Sequence, residues 1–217
     1  MQELFLCVGD VRTSASVHGE GETSLLLGHG AGGDRRQASL LRLAEVVAAS
    51  GRRAILYNFP YREAGRRVPD PPPVLEATVV AAAALARDTL GARRVVLGGR
   101  SMGGRVASQA VAAGLAAHAL VFLAYPLHPP GRPEQLRDRH LGQVACPMLF
   151  VQGTRDAFAR WDLLTALLER LGPLATLAAV QEADHSFAVP KRAGFAAAEV
   201  EATLRGAVLD WLARLGL

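Results

Sequence analysis

Cysteine, lysine and aromatic residues are scarce in this chain. Two cysteines, Cys7 and Cys146, are too few for a disulfide framework. No metal-ligand spacing surrounds either, so both read as small buried hydrophobes. Lysine occurs once, at Lys191, beside 23 arginines, and aromatic residues make up 6% of the chain. These residues form no basic stripe with interleaved aromatics, which argues against nucleic acid as a partner despite a net charge of +4 and an isoelectric point near 9.7. No run approaches the roughly 18 apolar residues of a membrane span. The longest, Ala77 to Ala86, is short and alanine-rich. Met1 to Cys7 lacks a basic region and a small-residue cleavage site, so no signal peptide, no membrane partner and a cytoplasmic location are expected.

What is present is a globular composition: 217 residues, half of them hydrophobic, enough for one sizeable core and one domain over residues 1–217. Short apolar runs alternate with longer amphipathic ones, the pattern of an α/β protein with a mostly parallel sheet and helices on both faces. The runs predict strands at Leu25–Gly28, Ala54–Tyr57, Val95–Gly98, Leu120–Ala124, Met148–Gln152 and Leu174–Val180, after an antiparallel pair at Leu4–Val8 and Val11–Val17. Helical periodicity falls on Gln37–Ala49, Val74–Thr89, Arg105–Ala113, Trp161–Leu171 and Phe195–Leu215. Gly51, Gly91 and Gly114 are the expected helix ends, and Asp70-Pro71-Pro72-Pro73 is expected to stay non-helical. Two long irregular stretches remain, Asn58–Pro73 and Tyr125–Pro147, where a sheet of this kind binds its ligands.

One segment carries chemistry by its order alone. Val95-Val96-Leu97-Gly98-Gly99-Arg100-Ser101-Met102-Gly103-Gly104-Arg105 is an apolar strand, then Gly-x-Ser-x-Gly, then a helical pattern. A turn that sharp strains the serine backbone and holds its hydroxyl at the sheet edge, and it needs glycine at 99 and 103 to avoid collision. The alternative is a glycine-rich turn with an incidental serine. A second strand, Leu25 to Leu27, runs into Gly28-His29-Gly30-Ala31-Gly32-Gly33. Such a turn brings a backbone N–H near the serine, so the Ala31 and Met102 N–H groups are the candidate oxyanion hole. The competing reading, a glycine loop cradling phosphate, lacks the Gly-Lys-Ser/Thr that follows such loops. A third strand ends in Gly153-Thr154-Arg155-Asp156, and a fourth is followed by Glu182-Ala183-Asp184-His185.

The chain order Ser101, Asp156, His185, with the elbow and the His-Gly turn, resembles the α/β-hydrolase superfamily over essentially the whole chain. Its size is similar to the small dienelactone-hydrolase-like and carboxylesterase types. Gly28 to Gly33, Asn58-Phe59-Pro60-Tyr61-Arg62 and Gly99 to Arg105 resemble a subfamily that includes a testis-expressed hydrolase-like protein and a histone-acetyltransferase-complex subunit. The resemblance implies the fold and the triad. The expected activity is hydrolysis of a small-molecule carboxylic ester, with thioester or lactone cleavage open to the same acyl-enzyme and no metal or organic cofactor required. A hydrolase-fold scaffold that binds protein without turnover is the alternative, and a monomer or homodimer is expected.

Within that frame His29 reads as architectural, and His128 as a pocket-lining candidate or a plain loop residue. His18, His118 and His140 read as surface or loop residues, and Glu182 and Asp184 as loop-capping acids. Arg100 is a candidate substrate-binding residue. If it converges with Arg35, Arg36, Arg62, Arg105 or Arg155, the substrate is anionic; the alternative is local pairing of Arg100 with Asp34, Glu63 or Asp70. The stretch before Met148 is rich in proline and glycine, which predicts no helical lid, although hydrophobic residues of Asn58–Pro73 could form a partial cover. The last helix, with Leu204, Val208, Trp211, Leu212 and Leu215 in phase, reads as core packing.

Overall fold

The computed structural model describes residues 1–194 and 196–217. Its centre is one eight-stranded sheet: β1 (Gln2–Val8), β2 (Val11–His18), β3 (Thr23–Gly28), β4 (Arg53–Tyr57), β5 (Arg94–Arg100), β6 (Ala119–Leu123), β7 (Met148–Gly153) and β8 (Ala175–Val180). The spatial order is β1-β2-β4-β3-β5-β6-β7-β8. β1 and β2 pair antiparallel, β2 meets β4 antiparallel, and all pairs from β4 to β8 are parallel. The chain leaves β3 toward one side to make β4, then returns to make β5 on the other side. That reversal puts a crevice at the carboxyl ends of β3 and β5, where α/β sheets bind ligands.

The helices are α1 (Ala38–Ala49), α2 (Pro60–Glu63), α3 (Pro72–Ala84), α4 (Met102–Ala112), α5 (Trp161–Leu171) and α6 (Ala197–Arg214). Strand alternation divides the core in two. Leu26, Ile55, Leu97, Phe122 and Phe150 face α3, α4 and α5, while Leu25, Leu27, Leu56, Val121 and Val151 face α1 and α6. Val208, Trp211 and Leu212 of α6 are buried as its periodicity predicts; Leu204 is half-buried and Leu215 is exposed. Phe195, where the sequence pattern starts this helix, lies outside the described residues. Among the described residues no helix is long and apolar enough to cross a membrane.

Several expectations are corrected. Pro72 and Pro73 sit in the first turn of α3, where the missing N–H would have no helical partner anyway. The helix read to Thr89 changes at Leu85 into a π-helical turn, Leu85–Thr89. Cys7 is exposed and Cys146 half-buried. In β1 the buried positions are Leu6 and Val8, so the pleat turns Cys7 outward. His18 is buried on β2, with Nε2 bonded to Ser16 Oγ at 3.2 Å. Between β6 and β7 the described residues form only one short 3-10 turn, Arg139–Gln143, so the expected absence of a helical lid holds there.

Candidate active site

Ser101 stands between β5 and α4 with φ 50° and ψ −114°, a strained backbone for a residue with a side chain. Neighbouring structure holds it there: its N–H donates to Leu123 O at 2.9 Å, and its own carbonyl accepts from Arg105 N–H at 3.2 Å. The glycines around it answer to β3 more than to each other. A Cβ on Gly99, whose φ is +152°, or on Gly103 would lie 2.2 Å from Gly28 O. Gly28 pairs with Gly99 in register, so the two strand ends and the first turn of α4 meet backbone to backbone.

His185 reaches this serine from the loop after β8. Its Nε2 lies 2.9 Å from Ser101 Oγ, and its Nδ1 lies 2.8 Å from Asp156 Oδ2. Asp156, buried after β7, also accepts from Gln152 Nε2 at 2.6 Å and from Phe158 N–H at 2.8 Å. An ionised carboxylate accepts at both oxygens, so His185 carries its proton on Nδ1 and leaves Nε2 as the acceptor facing serine. The Phe158 ring stacks on the imidazole, centroids 4.1 Å apart, and fixes its plane. Gln152 in turn accepts the Tyr125 N–H through Oε1 at 2.8 Å, so its amide has one orientation. The sequence reading did not single out Gln152 or Phe158. The signal for Gln152 was there: a lone amide near the end of an otherwise apolar buried strand.

The His-Gly turn prepares the other half of the site. His29 is fully buried, with Nε2 accepting Phe59 N–H at 3.2 Å and Nδ1 donating to Gly30 O at 2.8 Å. Gly33 N–H donates to the same carbonyl at 2.9 Å. In a trans peptide the N–H points opposite the C=O, so pinning Gly30 O inward turns the Ala31 N–H away from His29. Tyr61 Oη donates to Ala31 O at 2.7 Å and fixes the next peptide. Met102, the other expected donor, opens α4, where the first N–H groups have no helical acceptor. The run Gly28 to Gly33 also spells Gly-x-Gly-x-x-Gly, yet no helix begins until Ala38, so it lacks the helix amino end of a phosphate loop. Phe59 and Tyr61 are fully buried against His29, centroids 5.1 and 5.8 Å away, so they support the turn and do not cover the site.

Burial pushes His29 down to about 4 from 6.5. The unfolded chain therefore binds a proton that the folded chain refuses between those values, and stability falls as the pH drops through that window. The full contribution, about 3 kcal/mol, is present above pH 6.5 and gone below about 4. Burial also lowers His18 and His140, and both add in the same direction. Calorimetry of wild type and His29→Gln from pH 7.5 to 5 checks this. The variant is less stable at pH 7.5 but loses less on acidification; equal losses in both would exclude His29 as a source.

A cavity of about 500 Å³ opens over these groups, lined by Gly30, Ala31, Gly33, Gln37, Arg100, Ser101, Phe158 and His185. His128 is not among them. It is buried, with Nδ1 bonded to Pro129 O at 2.8 Å and Nε2 accepting Arg160 N–H at 2.9 Å, so both ring nitrogens are used in holding its loop. The arginines do not converge either. Arg35 pairs with Glu3, Arg155 with Glu182, and Arg105 bonds Gln109, while Arg62 donates to Arg66 O. Arg100 alone of the six lines the cavity. Its expected partners are engaged elsewhere: Asp70 with Arg66, Glu63 with Ser14 and Asn58, and Asp34 with Arg36 N–H. Asp184 caps its own loop through the Ser186 and Ala188 N–H groups, the role expected of it.

The family described as an alpha/beta hydrolase domain matches residues 21–213. The fold is similar to an alpha-beta serine hydrolase homologue from Coxiella burnetii, with 16% identity, TM-score 0.77 and 97% of each chain covered. It is similar to a serine hydrolase without lid from Xanthomonas campestris, with 20% identity and TM-score 0.76, covering 98% of this chain and 94% of that one. A dienelactone hydrolase from Anabaena variabilis gives 21% identity and TM-score 0.75, covering 98% and 97%.

Proposed function

The chain belongs to the alpha/beta hydrolase domain family, and from its site geometry we propose that it hydrolyses carboxylic esters of small soluble compounds through an acyl-enzyme on Ser101. The observation that carries this reading is the unbroken hydrogen-bonded line from Ser101 Oγ through His185 to Asp156, at 2.9 and 2.8 Å, beneath an open cavity.

Ser101 Oγ attacks the ester carbonyl while His185 Nε2 takes its proton. The C=O becomes an oxyanion between the Ala31 and Met102 N–H groups. His185 then gives the proton to the departing alkoxide as the C–O bond breaks, leaving an acyl group on Ser101. Water repeats the sequence, with His185 removing its proton, and releases the acid and the free serine. Asp156 holds the imidazole upright and stabilises its positive charge at each stage. Every step uses groups of this chain, so the reading calls for no metal or organic cofactor. Thioesters and lactones fit the same sequence, and the open site favours short acyl groups.

A fluorophosphonate probe followed by intact mass tests the reading without a known substrate. Wild type takes one adduct, Ser101→Ala takes none, and His185→Ala labels at least about a hundredfold more slowly, within the range of a lost general base. No adduct on folded wild type would overturn the reading in favour of a protein-binding scaffold that keeps the fold without turnover.

A further inference from the structure

Arg100 holds a cation at the reacting centre that the chemistry above does not use. A methyl-sized point beside Gly30 lies 3.6 Å from Ser101 Cβ and 4.0 Å from an Arg100 terminal nitrogen, so a small group seated there reaches both side chains. One terminal nitrogen donates to His185 O at 2.8 Å. Among the described residues no carboxylate lies within 4.0 Å of this side chain. The acids around it are spent: Asp156 on His185, Gln152 and Phe158, Asp184 on its own loop, and Glu201 on Arg42. Burial works against its charge, and the Asp156 and Asp184 carboxylates offset this only from a distance. Gln37, on the same cavity, has a buried Oε1 with no donor among the described residues, a place for a hydroxyl or N–H.

A guanidinium presents five N–H donors in a planar fork, and a carboxylate takes two of them in parallel. Held partly out of water with no carboxylate paired to its fork, it gains when an anion docks there. We propose that Arg100 binds a carboxylate carried by the substrate close to its scissile carbonyl, so that this site turns over anionic esters in preference to neutral ones. The proposal rests on Ser101 being the nucleophile. The carboxylate sits on either the acyl or the alcohol portion, and paired substrates tell these apart.

Monoethyl succinate is compared with ethyl 4-methylpentanoate, and O-acetylglycolate with isobutyl acetate; in each neutral member an isopropyl group replaces the carboxylate. Rates are followed by proton release. Wild type favours the anionic member of one pair by about tenfold or more in kcat/KM, the range of a hydrogen bond to a charged group. Arg100→Gln removes that preference and Arg100→Lys keeps part of it. If Arg100 serves only to hold the His185 carbonyl, Arg100→Gln slows both members by the same factor, and the unchanged ratio overturns the proposal. A wild type with no charge preference in either pair overturns it too. Succinate slowing fluorophosphonate labelling of wild type, where 1,4-butanediol does not, supports it without any variant. Equal effects of the two count against it. A wild type that fails to label at all overturns the nucleophile reading and this proposal with it, whereas labelling without charge preference overturns this proposal alone.

Discussion

Exchanging Ser101 for alanine lowers kcat/KM for a cleaved ester by about 10⁴- to 10⁶-fold, the range for losing a serine nucleophile. Folding is spared, since the strained backbone at φ 50° is imposed by Leu123 O and the start of α4 and not by the hydroxyl. Asp156→Asn is the sharper companion. Its oxygen would keep the Phe158 N–H, and its NH₂ would then face two donors, Gln152 Nε2 and His185 Nδ1. His185 escapes that conflict by moving its proton to Nε2, where it no longer accepts from serine. A loss of about 10⁴-fold follows from the wrong tautomer. Combining Asp156→Asn with Ser101→Ala adds almost nothing, because the groups act as one unit. Steady-state kinetics on one ester, with thermal melts as a folding control, decide the matter. Additive losses would mean that Asp156 and Ser101 do not act as one unit.

The second large effect is on stability, and it reverses a propensity rule. Gly103 lies in the first turn of α4, where alanine is the better helix former by about 1 kcal/mol. Gly103→Ala nevertheless places a methyl group 2.2 Å from Gly28 O, inside contact distance of a backbone that β4 and β5 hold from both sides. Loss of more than about 4 kcal/mol, or failure to fold, is expected, as for other severe steric conflicts in a core. Gly206→Ala is the control. It sits in α6 with nothing within 4 Å of its added Cβ, and gains about 0.5 to 1 kcal/mol. Chemical denaturation of the two variants separates them by sign. A Gly103→Ala protein as stable as wild type would show that β3 and α4 are free to part.

What the sequence made legible was local. The glycine spacing around Ser101, the strand before it and the helix after it are written within eleven residues, and the alternation of strands and helices repeats along the chain. Asp156 and His185 were found because each follows its strand directly. Functions that depend on partners distant in sequence were not legible. Gln152 orients Asp156 from four residues away, yet what fixes it is the Tyr125 N–H on another strand's loop. His128 resembled a pocket residue until its two nitrogens proved to be used by Pro129 and Arg160. The phrase from Asn58 to Arg62 was distinctive in sequence, but its use, securing the turn beneath Ala31, is visible only in the folded chain. Cys7 could have been placed by alternation, since Leu6 and Val8 take the inward positions of the same strand.

The three groups at the cavity come from widely separated parts of the chain: His185 lies 84 residues after Ser101 and 29 after Asp156. No fragment ending before β8 therefore holds a working base, even if β3 and β5 have already joined. During refolding, most secondary structure precedes catalytic competence, because closing long loops onto a parallel sheet is the slow event. Trp211, whose Nε1 donates to Thr176 of β8 at 3.1 Å, is buried only as that strand docks. Probe reactivity thus serves as a clock for the last strand to dock, running behind circular dichroism, and its lag measures how late the sheet's far edge is completed.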